Sequence, residues 1–110
     1  MAYDEQLAER IRQQLAGEDG VSEKKMFGGL AFLLNGNMAV SASGQGGVLV
    51  RIDSAETEAA VAEPHVERME MGGRSMDGWI RVAPEALESD EGLAAWVDRG
   101  VGYARTLPPK

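Results

Sequence analysis

Cysteine is absent from the 110 residues, histidine occurs once, and aromatic residues make up only 5%. Without Cys there is no disulfide framework, iron–sulfur cluster, thiol nucleophile or thiolate zinc site. Nucleophilic catalysis of the triad type needs a base oriented by a third group, and the only imidazole is His65. The longest apolar run, Leu30 to Leu34, is far shorter than the ~18 residues of a helical membrane span. Basic residues are also scarce: 11 Lys and Arg face 18 Asp and Glu, a net charge of −7. Direct nucleic-acid binding is therefore not expected, because neutralising phosphates supplies much of that affinity. The N-terminus, Met1-Ala2-Tyr3-Asp4-Glu5, is acidic and then amphipathic, unlike a secretory signal, and the expected location is cytoplasmic.

What is present suits one folded domain over residues 1–110. Hydrophobic residues make up 44% of the chain, enough burial to offset the ordering entropy. Tyr3, Leu7, Ile11 and Leu15 recur at every fourth position among charged residues, which predicts an amphipathic helix stopped at Gly17. The period then changes to two. Strands are expected over roughly 25–34, 37–43 and 47–52, with Asn35-Gly36 forming a two-residue hairpin turn. Asp53 to Glu56 resembles a capping box opening a short Ala-rich helix that Pro64 ends. Residues 66–71 and 78–82 read as a second hairpin. A last helix, capped by Ser89 or Asp90, carries a buried stripe of Leu93, Trp96, Val97, Val101 and Ala104. The order α-βββ-α-ββ-α predicts a two-layer α+β domain, with the first and last helices packed on one face of an antiparallel sheet.

Few residues point to chemistry. Glu63, His65 and Glu67 are the only imaginable metal ligands, but zinc wants more nitrogen or sulfur than this chain offers, and a solvated surface histidine explains His65. Gly28-Gly29 falls inside the expected first strand, where glycine signals a bulge or a close backbone approach. Gly44 to Gly47 lacks the Lys-Ser/Thr and helix of a phosphate-binding loop. The acids lie mostly on polar helix faces, in turns or near helix N-termini, so no general acid or base stands out. No cofactor is expected. If Val48, Val50, Ile52, Met69, Met71, Ile80 and Val82 face the core, alternation sets Arg51, Arg68, Trp79 and Arg81 together on the opposite face. Arginine and tryptophan are enriched at protein interfaces, so this is a candidate interaction face, the plainer reading being a solvated sheet surface.

Lys25-Met26-Phe27-Gly28-Gly29, the apolar run Leu30 to Leu34, Gly36 and Met38 resemble the N-terminal domain of the TfoX (Sxy) family of bacterial regulators. The likeness continues through Leu49-Val50-Arg51-Ile52-Asp53 and through Val82-Ala83-Pro84-Glu85 with Leu93 and Trp96-Val97. Ala31, Leu33 and Ala39 depart from the residues common in the family. The resemblance implies the α-βββ-α-ββ-α fold. In the regulators it implies activation of natural-competence genes together with the cyclic-AMP receptor protein, by protein contact. The regulators carry a second helical domain after this one. The sequence ends at Lys110, so a stand-alone form is expected, and the family supplies no catalytic residues to transfer.

The resulting expectation is a non-enzymatic regulatory interaction domain whose partner is a protein, the transcription machinery being the class the resemblance implies. The alternative is a small-ligand or metal-binding domain without catalysis. A homodimer is also expected to be open to this chain, because the Gly- and Ser-rich stretch 37–47 carries few charges to deter strand pairing.

Overall fold

Asp4 begins the first helix: its carboxylate accepts from the backbone N–H groups of Gln6 and Leu7 at 2.9 and 3.2 Å. The structure, a computed structural model, describes residues 3–26, 28–71 and 73–109, with only the backbone of Met71. Helix α1 spans Glu5–Gln14 and buries Leu7, Ala8 and Ile11. It ends before Gly17, with Leu15 as its C-cap donating back to the carbonyls of Ile11 and Arg12.

Four strands follow where three were expected: β1 Val21–Met26, β2 Gly29–Leu34, β3 Asn37–Ala42 and β4 Val48–Arg51. The expected long strand from residue 25 is broken at Gly28, which adopts φ +76 in a turn between β1 and β2. Strand β1 escaped the periodicity argument because it is an edge strand. Its central residues, Ser22 to Lys25, are all exposed, so no dry face marks it. By contrast, β2 is buried along almost its whole length, as its two apolar faces predict. In β3 alternation predicts a dry face of Met38, Val40 and Ala42 and a wet one of Ala39, Ser41 and Ser43, but the second is buried too, and the Ser41 hydroxyl donates to the Leu30 carbonyl at 3.1 Å. The Asn35-Gly36 turn forms as expected, with φ +51 and +87.

Asp53 caps a 3-10 turn, Ser54–Glu56, that runs into the short helix α2, Thr57–Val61. Buried Thr57 ties this segment to the sheet, donating to the Ser54 carbonyl and accepting from the Gly78 N–H at 2.7 Å. Strand β5 is Val66–Met71 and β6 is Arg74–Val82, so residues 74–77 belong to the strand and not to the expected loop. After a 3-10 turn over Pro84–Leu87, Ser89 caps α3, Asp90–Ala104. Buried Asn37 fixes the segment beyond α3 by donating to the Pro108 carbonyl at 2.9 Å.

All neighbouring strands pair antiparallel in one six-stranded sheet of order β1-β2-β3-β4-β6-β5. The fold is α+β, with α1 and α3 on one face as expected and α2 on that same face over β5 and β6. Between the layers lie Ile11, Phe32, Val40, Val50, Ile80, Val82, Leu93, Trp96 and Val97. Helix α3 comes close to the sheet at Gly100, where an added Cβ would sit 2.3 Å from the Ala39 carbonyl oxygen.

An exposed cluster joins α1 to the edge strand. Arg12 bonds Glu23 of β1 through both Nε and Nη2, at 2.7 and 2.9 Å, and also holds Glu9. The bonds from Arg12 lower the Glu23 pKa from the ordinary carboxylate value. A carboxylate with a depressed folded-state pKa stabilises above its unfolded pKa and loses that contribution as pH falls through the folded value. Wild type is therefore expected to unfold at a higher temperature than Glu23→Gln at neutral pH. The gap should close on acidification below the ordinary carboxylate range, as scanning calorimetry across pH would show.

Candidate interaction face

The face of the sheet turned away from the helices is also apolar. Ala31, Met38, Leu49 and Met69 form a second buried cluster, with Met26, Leu33, Met76 and Trp79 packed partly buried against it. No helical residue belongs to this cluster. Leu49 is nevertheless 2% exposed and Met69 4%, because long side chains on the same face exclude water from the centre. Four methionines lie here, and unbranched thioether chains suit a surface that must adapt to what it touches.

Three of the four residues expected to share a face do so. Arg51 lies opposite Trp79 and Arg81 opposite Leu49 in the register of β4 and β6. The Arg51 guanidinium is 5.1 Å from the centre of the Trp79 ring and 5.7 Å from that of Tyr103 of α3, so two aromatics bracket it. Arg81 donates to the Ser43 hydroxyl at 3.0 Å. Arg68 is the exception. It pairs with Ile80 on the helix side, where it meets Asp77 at 3.1 Å and Glu58 of α2 at 3.8 Å.

The cause is the phase of β5. Val66 and Met69 have opposite parity, so only one of them can face the helices. The helix layer takes Val66, under α2, and turns Met69 into the second cluster. The expectation that Met69 joins the main core is thereby corrected; the side chain of Met71 lies outside the described residues. The register also shifts between Arg68 and Met69, where Asp77, Gly78 and Trp79 of β6 stand between the partners Met76 and Ile80.

Charge on this face contrasts with that of the whole chain. Following the register, its strand residues include Lys24, Arg51, Arg74 and Arg81 against the single acid Glu67. The ion pairs among the described residues engage Arg10, Arg12, Arg68, Arg99 and Arg105. Lys24, Arg51, Arg74 and Arg81 have no carboxylate of the described residues within 4.0 Å. The arginines on the helix side are thus neutralised, whereas the arginines around the methionines, like Lys24 and Lys25 of the edge strand, are left available.

The residues considered as metal ligands stand apart in their engagements. Glu63 is held by Arg99 of α3 through both carboxylate oxygens, at 2.7 and 3.3 Å. Glu67 lies on the open face opposite Arg81, and His65 is exposed at the start of β5. No group of three His, Cys, Asp or Glu side chains placed to hold a metal ion occurs among the described residues. A cleft of about 610 Å³ between α2 and α3 is lined by Ile52, Asp53, Ala60, Glu63, Arg99 and Tyr103, and the Glu63–Arg99 pair lies in its wall.

His65 has φ +66, a left-handed conformation that costs a residue with a Cβ about 1 kcal/mol or more. His65→Gly is expected to raise stability by about 0.5–1 kcal/mol, since glycine adopts that conformation freely. Denaturant unfolding would read the gain, and a loss would mean that the imidazole makes a stabilising contact.

The motif Lys25-Met26-Phe27-Gly28-Gly29 has a structural role in this geometry, Phe27 itself lying outside the described residues. Gly28 turns the first hairpin. An added Cβ at Gly29 would sit 2.1 Å from the Ala42 carbonyl oxygen, so the close backbone approach expected of this glycine is present. Met26 ends the edge strand and joins the open-face cluster, and Lys25 stands opposite Leu30. The model of the TfoX N-terminal domain matches residues 13–104. The chain belongs to the TfoX N-terminal domain family. This TfoX N-terminal domain is not of a known catalytic family. No curated protein and no solved structure matches the chain. No helix among the described residues is long and apolar enough to cross a membrane.

Proposed function

We propose that this TfoX N-terminal domain is a non-enzymatic regulatory module that works by protein contact, and that it docks its partner on the open face of the sheet. The observation that carries the reading is the second apolar cluster, Met38, Leu49 and Met69 with Met76 and Trp79, which no helix covers and unneutralised cations surround. A sheet buried on one face can leave its other face polar at no cost to the fold. Here the second face is instead built from methionine, leucine and tryptophan with arginine at its margin, the combination that dominates interface energetics.

The family match supports a regulatory role, and the proposed partner belongs to the transcription machinery. Affinity capture from native-host lysate with nuclease, comparing wild type with Trp79→Ala, tests the contact. Transcript profiles across a range of doses test the regulation. One defined protein should survive nuclease and be lost with Trp79→Ala, and transcript levels should follow dose. Capture of the same proteins by both forms, or transcripts indifferent to dose, would sink the reading.

A further inference from the structure

We infer that the segment seated on the open face is acidic and amphipathic: a stretch of a partner protein with Leu, Phe or Met anchors on one side and Asp or Glu flanking them. The inference rests on the open-face reading above and adds the chemistry of the occupant. Its basis is the separation of charge across the fold. In a chain of net charge −7, strand residues of this face set Lys24, Arg51, Arg74 and Arg81 against Glu67 alone. The carboxylates that pair with arginine lie elsewhere, at Glu9, Glu18, Glu23, Glu58, Glu63, Asp77 and Asp90.

A ligand for such a surface must bury an apolar strip on the methionines and place anionic groups over the rim. Apolar burial at the centre supplies affinity, and complementary charge supplies steering and selectivity. Two other occupants fit less well. A second copy docked face to face would bring like-charged rims together. A nucleic acid would meet the field of an acidic protein, and the one aromatic of the cluster among the described residues, Trp79, already has the Arg51 guanidinium over its ring. Single strands bind best where successive bases stack on several aromatics.

Selection of a random peptide library on the immobilised wild-type protein tests the inference. Recovered peptides are then measured against wild type, Trp79→Ala and the triple variant Lys24→Glu/Arg74→Glu/Arg81→Glu. Arg51 is left in place because its contact with Tyr103 belongs to the packing of α3. The recovered peptides should be net negative with spaced apolar residues. They should weaken at least about tenfold on the charge-reversed protein and on Trp79→Ala, and weaken with added salt. Peptides lost with Trp79→Ala but carrying no negative bias, or held equally by the charge-reversed protein, overturn the inference and leave the open-face reading standing. Peptides indifferent to Trp79→Ala overturn both. Recovery of no peptide, tighter binding of a single-stranded oligonucleotide, or a dimer that the triple variant strengthens would each replace the acidic segment with another occupant.

Discussion

Gly100→Ala is expected to destabilise the protein by about 2–3 kcal/mol, the upper end of what one added methyl costs in a packed interior. The methyl would be directed at the Ala39 carbonyl oxygen, 2.3 Å from the ideal Cβ position, and 3.3 Å from the Val50 side chain. Neither a carbonyl within the sheet nor a buried β-branched residue yields readily, so α3 must lift from β3 and β4. Gly102, on the same helix, supplies the control. Nothing lies within 4 Å of its Cβ position, and Gly102→Ala keeps only the gain in helix propensity, up to about 1 kcal/mol. Denaturant melts of the two variants should therefore move in opposite directions. Equal shifts would mean that α3 does not approach the sheet at Gly100.

Trp79→Ala is expected to behave in the contrary way, costing binding far more than stability. Trp79 lies half-buried on the open face, outside the helix-covered core, so its removal spares the side chains between the layers and reaches α3 only through Arg51, which lies between Trp79 and Tyr103. Buried tryptophans at the centre of an interface commonly contribute 2 kcal/mol or more to association, about thirtyfold in affinity. The partner captured by wild type should lose about that much affinity for Trp79→Ala, while the melting temperature falls by only a few degrees. A large fall in melting temperature with affinity preserved would place Trp79 in the core instead.

The core on the helix side was legible in the sequence because its signals agree. The stripes of α1 and α3, the caps at Asp4 and Ser89 and the Asn35-Gly36 turn each specify their element locally. The TfoX likeness seen in Met26 to Met38 likewise survives as a family match over residues 13–104. Two things were not legible, for physical reasons. Strand β1 is exposed along its centre, so alternation between wet and dry faces never develops in Val21–Met26. The open face was half seen, since Arg51, Trp79 and Arg81 fall together as alternation predicts, whereas Arg68 does not. Periodicity fixes which residues of a strand share a face but not which face meets the helices, and β5 offers Val66 on one parity and Met69 on the other. The available signal was the apolar character of both parities in β2 and β4, where Ala31 and Leu49 alternate with Phe32 and Val50; strands of that kind need cover on both sides.

That cover is the account's central claim, and site-specific photo-crosslinking in the native host tests it most directly. A photo-reactive residue is placed at Met76 or Arg81 on the open face, or at Asp98 on the outer side of α3. The account predicts nuclease-resistant crosslinks to a common protein from Met76 and Arg81 and none from Asp98. Crosslinks from Asp98 alone would contradict it, and would move the contact surface from the open sheet to the helices.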